Sequence, residues 1–194
     1  MSWGKFIATA GLFGAYIVKD TIPDEKIEIL RDNCNNLCDR AMIDFLLSTE
    51  IRVGELVRLN IDDIDFSERE CVVYGKGDKE RKAYFDAKTK IYLLNYIESR
   101  TDNNIALFVS LNKPHSRLTE SGVELRLRKM GKKLGVEKVH PHKFRRTMAT
   151  RAIEKGMPIE QVQKILGHEQ IDTTLRYAMV NQNNVKLSHR KYIS

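Results

Sequence analysis

Residues 140–147 read H-P-H-K-F-R-R-T, residues 166–168 read L-G-H, and residues 173–178 read T-T-L-R-Y-A. Fewer than 40 residues therefore hold two possible proton carriers, His142 and His168, with Arg145 three positions after the first and Tyr177 nine positions after the second. The spacing predicts a helix over 142–155, on which positions i and i+3 share a face, so that His142 and Arg145 point at one place. An imidazole and a guanidinium converging there, with a hydroxyl nearby, suit a phosphate group under attack. Gly156 and Pro158 punctuate that helix. Ile159, Val162, Ile165 and Leu166 then define a short second one that ends at Gly167-His168.

Upstream, Thr119 opens a helix whose Val123, Leu127, Met130 and Leu134 form an apolar stripe, and Gly135 ends it. Its other face carries Arg126, Arg128, Lys129, Lys132 and Lys133. Asp86 caps a further helix reaching about Arg100, with Ile91, Leu94 and Ile97 spaced for one buried face. Between 61 and 85 the period changes. I-D-D-I-D-F, E-C-V-V-Y-G and R-K-A-Y-F are short β-rich segments, the last two separated by turn residues, which predicts a small antiparallel sheet. Lys76 lies between Gly75 and Gly77 in that turn, where the flanking glycines let the backbone carry its ammonium close to another molecule. Residues 48–59, S-T-E-I-R-V-G-E-L-V-R-L, place Arg52 at the entrance of a helix containing Glu55, Leu56 and Leu59. A helix over about 37–48 is apolar nearly all round, as at the centre of a core. Before it, Pro23, Asp24 and Glu25 start a helix striped by Ile27 and Leu30.

The chain of 194 residues is 42% hydrophobic and 30% charged, values of a globular domain and not of a disordered one. Its formal charge of +7 is uneven: residues 1–70 hold 8 Lys+Arg against 14 Asp+Glu, and residues 111–155 hold 13 against 4. A basic segment that runs into the His142/Arg145 cluster points to a polyanion, most simply nucleic acid. Cys34, Cys38 and Cys71 fit no zinc-ligand spacing and read as free thiols of a reducing compartment, hence the cytoplasm. The apolar run at 6–17 is too short to span a bilayer and lacks a small-x-small cleavage site, so no membrane partner is expected. Residues 1–20 read as a leader, the remnant of a linker, or an artificially added start. Residues 178–194 are polar and Asn-rich, a tail that either frays or docks on a neighbour. No repeat, heptad run or Gly-rich phosphate loop is present.

Five of these motifs, in order from about Thr21 to Tyr177, resemble the catalytic domain of the tyrosine recombinase (phage integrase) family. T-E-I-R-V-G-E-L looks like the family's first arginine motif and carries Arg52. G-K-G-D-K-E-R looks like its lysine hairpin, with Lys76 at the catalytic position. H-K-F-R-R-T resembles the H-x-x-R box and assigns His142 and Arg145, L-G-H assigns His168, and T-T-L-R-Y assigns Tyr177 as the nucleophile. Two positions depart from the pattern. Glu50 stands where the family usually has glycine, altering the local turn and offering a competitor for Arg52, and Arg146 stands where a histidine often follows the second arginine.

The resemblance implies an α+β, mainly α-helical catalytic domain over 21–177 with a small three-stranded antiparallel sheet on one side. It implies that double-stranded DNA is cut and rejoined through a 3′-phosphotyrosine, with no metal and no cofactor. Tyr177 would attack, His142 would accept its proton and His168 would bond the phosphate. Arg52 and Arg145 would hold the non-bridging oxygens, and Lys76 would protonate the departing 5′ oxygen. Arg126, Arg128, Lys129, Lys132, Lys133 and Arg146 are the expected further DNA contacts. The family's N-terminal DNA-binding domain has no counterpart here, so a catalytic fragment is expected. Its partners would be further protomers in a tetramer on DNA, one of which receives the tail. Three other readings remain open on the residues: a non-catalytic DNA-binding module, a type IB topoisomerase-like enzyme, and a metal-independent ribonuclease that leaves Tyr177 idle.

Overall fold

The computed structural model describes residues 21–75, 80–168, 170 and 174. Pro23 precedes α1 (Asp24–Asp32), whose Asp24 and Glu25 sit in the first turn, where the helix dipole favours carboxylates. Only Ile27 and Leu30 of α1 are buried, so it covers the core. The Asn36 side chain accepts from the Asp39 amide at 2.8 Å and starts α2 (Leu37–Thr49). Ala41, Met42, Ile43, Phe45, Leu46 and Leu47 are all buried, because a helix apolar on every side must be surrounded. The charged residue among them, Asp44, accepts from Arg31 Nε at 2.6 Å and Arg40 Nε at 2.7 Å. Those two guanidiniums match its buried charge and tie α1 to α2.

α3 (Val53–Arg58) and a 3-10 turn (Ile61–Asp63) lead into the sheet. Its strands β1 (Ile64–Asp65), β2 (Glu70–Tyr74) and β3 (Glu80–Tyr84) are antiparallel in the order β1-β2-β3, with Cys71 opposite Ala83 and Val73 opposite Arg81. Alternation buries Cys71, Val73 and Ala83 on one face and exposes Glu80, Lys82 and Tyr84 on the other. Asp86 Oδ1 accepts from the Thr89 amide at 2.7 Å and caps α4 (Ala87–Glu98), which lies along α2. The face it buries is Thr89, Leu93 and Tyr96, not the expected Ile91, Leu94 and Ile97: the helix is turned so that Tyr96 reaches Phe108, which leaves Ile91 exposed and Leu94 and Ile97 half-buried. Tyr96 stacks on Phe108 with ring centroids 5.6 Å apart, and Phe108 meets Phe45 in the main core.

Thr119 Oγ1 accepts from the Gly122 amide at 3.1 Å and caps α5 (Glu120–Lys133). At Gly131 a β-carbon would lie 2.6 Å from Val139 Cγ2, so only glycine lets α5 approach the chain leading into α6 (Pro141–Glu154). α7 (Ile159–Leu166) is joined to α6 by a small second cluster, Ala149 with Val162 and Leu166. The result is the expected mainly helical α+β architecture with one small antiparallel sheet.

Cys34, Cys38 and Cys71 are free, and burial pushes the Cys34 and Cys71 thiols up to about 12. No helix among the described residues is long and apolar enough to cross a membrane. Residues 1–20, the hairpin turn with Lys76, Tyr177 and the tail at 178–194 lie outside the described residues.

Candidate active site

α7 ends in a left-handed turn at Gly167, φ 59°. The last carbonyls of a helix have no intrahelical donors and sit at the negative end of its dipole. Two arginines from distant parts of the chain take them. Arg145 Nη2 donates to the Leu166 carbonyl, and Arg52 Nη2 donates to the Gly167 carbonyl at 3.2 Å. Arg145 Nη1 also donates to the Glu50 carbonyl at the end of α2, so this guanidinium bridges the ends of two helices while only 5% exposed. Arg52 is the residue before α3, and 37% of its side chain is open to solvent.

Glu55, one turn into α3 and 2% exposed, organises Arg52. Its Oε2 accepts from the Arg52 amide at 2.7 Å and its Oε1 from Arg52 Nη1 at 3.0 Å. A second guanidinium reaches the same carboxylate, with Arg81 Nη2 donating to Oε2 at 2.6 Å from β3. Neither Glu55 nor Arg81 stood out in the sequence as a site residue. Their signals were the i,i+3 spacing of Arg52 and Glu55 and the strand parity that puts Arg81 on the inward row with Ala83.

His168 follows directly. Its backbone amide donates to the Gln163 carbonyl at 3.1 Å, its carbonyl accepts from Gln163 Nε2 at 3.0 Å, and its Nδ1 lies 3.0 Å from Thr174 Oγ1. Burial first, then Arg145, Arg52 and Arg81, push the imidazole down to about 4, so His168 is neutral at pH 7. His142 is the exposed residue in the otherwise buried first turn of α6, one turn before buried Arg145, with its ring 6.5 Å from that of His140. Burial, and then the charges of His142, Arg146 and Lys143, push His140 below the ordinary histidine value. The structure thus brings Arg52, Arg145 and His168 together at the end of α7 and keeps His142 on the same helix as Arg145. Lys76 and Tyr177 are not among the described residues.

Glu50 adopts the left-handed conformation, φ 50°, where a glycine is the unstrained choice. Its carboxyl does not engage Arg52. Burial pushes it up to about 7, opposed by Arg145 and then Arg81, while its carbonyl holds Arg145. On α5, Arg128, Lys129, Lys132 and Lys133 are exposed. Arg126 turns inward instead. Its Nη1 donates to Cys38 Sγ at 3.1 Å and its Nε lies 3.2 Å from Asp39 Oδ1, an ion pair without hydrogen-bond alignment. Arg146 is half-buried on α6. Among the described residues no group of three or more His, Cys, Asp or Glu side chains is arranged to hold a metal ion.

The phage integrase family model matches residues 21–184, and the chain belongs to that family. The tyrosine recombinase XerC of Staphylococcus aureus is 36% identical over 173 residues, which cover 84% of this chain and 57% of that protein. The chain therefore spans a little over half the length of this relative. The crystal structure of XerA recombinase matches with a TM-score of 0.77 at 31% identity, covering 90% of this chain and 65% of that one. The Tn1549 transposon integrase, solved in complex with transposon right end DNA, matches with a TM-score of 0.77 at 19% identity, over 90% of this chain and 66% of its own, a likeness of fold.

Proposed function

We propose that this chain is the catalytic domain of a site-specific DNA recombinase or integrase, cutting and rejoining strands through a 3′-phosphotyrosine. The observation that carries this reading is the convergence of Arg52, Arg145 and neutral His168 on the last turn of α7. Two fixed guanidinium forks suit the non-bridging oxygens of one phosphate and the charge that grows on them during attack.

Tyr177 Oη forms the new bond to phosphorus as the bond to the 5′ oxygen breaks. The phenolic proton passes to His142, and Lys76 supplies a proton to the departing 5′ oxygen. His168 Nδ1 lies 3.0 Å from the Thr174 hydroxyl, and the tautomer that accepts there would keep its proton on Nε2 for a phosphate oxygen. Arg128, Lys129, Lys132 and Lys133 would bind the backbone of double-stranded DNA, with Arg146 beside the site. Residues 21–177 form the catalytic unit in this reading, and residues 178–194 dock on the next protomer of a tetramer on DNA. An N-terminal DNA-binding domain on a longer chain would complete the clamp. The free thiols of Cys34, Cys38 and Cys71 support a reducing cytoplasm. The names of the relatives favour neither a non-catalytic DNA-binding module nor a type IB topoisomerase-like enzyme.

Covalent trapping tests the reading. The protein is incubated in EDTA with a library of nicked duplexes of randomised sequence, and denaturation-resistant protein–DNA adducts are recovered. An adduct formed by the parent protein and lost in Tyr177→Phe and Arg145→Ala is the expected result. An adduct that survives Tyr177→Phe would sink it.

A further inference from the structure

Among the described residues Arg81 makes one hydrogen bond, to Glu55, and its buried Nε and Nη1 meet no acceptor. Its side chain is 12% exposed. Leaving two guanidinium nitrogens buried and unpaired costs stability, and burial accordingly pushes its pKa down, with nearby Arg52 acting in the same direction. Asp44 also carries two arginines, but there each guanidinium has further acceptors, whereas two nitrogens of Arg81 meet none among the described residues.

The reason lies in how Glu55 divides its oxygens. Oε1 goes to Arg52 Nη1, and Oε2 goes to Arg81 Nη2 and the Arg52 amide. A carboxylate and a guanidinium left alone pair fork to fork, through two parallel hydrogen bonds. Arg81 and the Arg52 amide together fill the oxygen that such a pair between Glu55 and Arg52 would need. Arg52 is left with one bond to Glu55 and one to the Gly167 carbonyl, and with a partly open guanidinium. The packing keeps Arg81 in place: a β-carbon on Gly167 would lie 2.8 Å from Arg81 Cδ and 3.0 Å from its Nε, so the end of α7 closes directly over the side chain.

We propose that Arg81 is a positioning residue for Arg52, occupying one oxygen of Glu55 so that Arg52 is not drawn into a closed ion pair and stays turned to the scissile phosphate. This rests on the functional reading above. It assigns Arg81 no contact with DNA, since its free nitrogens are covered.

The test measures the rate of covalent adduct formation on the nicked duplex captured by the parent protein, with DNA affinity and thermal melting recorded alongside. Arg81→Met should slow adduct formation by about 10²-fold, the scale of a misplaced catalytic group, with DNA affinity little changed. Arg81→Lys, which still places a donor on Glu55, should keep most of the rate. Combining Arg81→Met with Arg52→Ala should add nothing to the loss caused by Arg52→Ala alone, because both act through one group. Adding Glu55→Gln to Arg81→Met should restore part of the rate, since a neutral amide does not clamp Arg52.

Full additivity of the two arginine substitutions, or an Arg81→Lys as slow as Arg52→Ala, overturns the proposal. Should Arg81→Met fail to fold, the Arg81→Lys rate decides alone. A parent protein that forms no adduct overturns the functional reading, and this inference with it. An adduct formed equally fast by the parent and Arg81→Met overturns the inference only.

Discussion

Replacing Glu50 by glutamine should reverse the direction in which stability changes with pH. The Glu50 carboxyl sits at about 7 in the folded chain against an ordinary value of 4.5, raised by burial. The folded state therefore binds a proton more tightly than the unfolded one, and stability is lost as pH rises towards 7. Between pH 5 and pH 8 this loss amounts to about 2–3 kcal/mol by proton linkage. His168 works the other way. Its folded value of about 4 lies below its ordinary 6.5, so the unfolded chain binds the extra proton and stability rises with pH up to about 6.5. Discounted for the imidazole's partial exposure, that gain is about 1 kcal/mol.

The parent protein should thus lose about 1–2 kcal/mol from pH 5 to pH 8, the difference of the two effects. Glu50→Gln, with the carboxyl gone, should gain about 1 kcal/mol over the same window from His168. Urea unfolding followed by far-ultraviolet circular dichroism at pH 5, 6, 7 and 8 reads this directly, and an unchanged m value confirms that only stability moved. Parallel pH curves for the two proteins would refute the reasoning, because they would mean that Glu50 is already ionised at pH 5.

Other substitutions probe other parts of the fold. Gly167→Ala puts a side chain at φ 59° and within 2.8 Å of Arg81 Cδ, so it should cost about 1–2 kcal/mol in chemical unfolding and slow adduct formation as well. Unchanged melting would show that the turn relaxes. Asp44→Ala removes the buried carboxylate that Arg31 and Arg40 share, leaving Arg31 with Glu28 and Arg40 with the Arg31 carbonyl, and should destabilise by about 3 kcal/mol, measured by urea midpoint; a loss below about 1 kcal/mol would mean that both arginines swing into water. Changing Arg128, Lys129, Lys132 and Lys133 together to Gln should weaken DNA binding uniformly across sequences and flatten its dependence on salt, with each lost phosphate contact lowering the log–log slope by about one. An unaltered salt slope would remove that face of α5 from the DNA interface.

Much of this architecture was legible because local chemistry and tertiary packing agree. Asp86 and Thr119 each accept an amide three residues on, so the two caps that the sequence advertises are made. The continuous apolar surface of α2 correctly marked the core centre, and period-two segments marked the sheet. Arg126 shows where the reading stops. It falls among basic residues and was grouped with them, yet it lies three positions after Val123 and four before Met130, on the edge of the buried stripe, and so turns to Asp39 and Cys38. Glu55 and Arg81 were illegible for a different reason. Spacing and strand parity face each of them inward, but their pairing comes from a meeting between a helix and a strand 26 residues apart, which those local signals do not specify. Glu50 was legible as an anomaly, but its partners were not, because Arg145 reaches it from 95 residues away.

The acceptors that anchor the two arginines at α7 are main-chain oxygens: Glu50 and Leu166 for Arg145, Gly167 for Arg52. A peptide carbonyl survives every point mutation. Selection therefore cannot remove these anchors one residue at a time, and can only move them by bending the backbone that presents them. That separates two kinds of constraint which usually travel together. The bond to Arg145 asks nothing of the side chain at position 50 beyond that it tolerate the turn, φ 50°. Sequence diversity at the end of α2 is then compatible with a conserved charge geometry, and lineages can change what lies around Arg145 without passing through a form in which it is unheld.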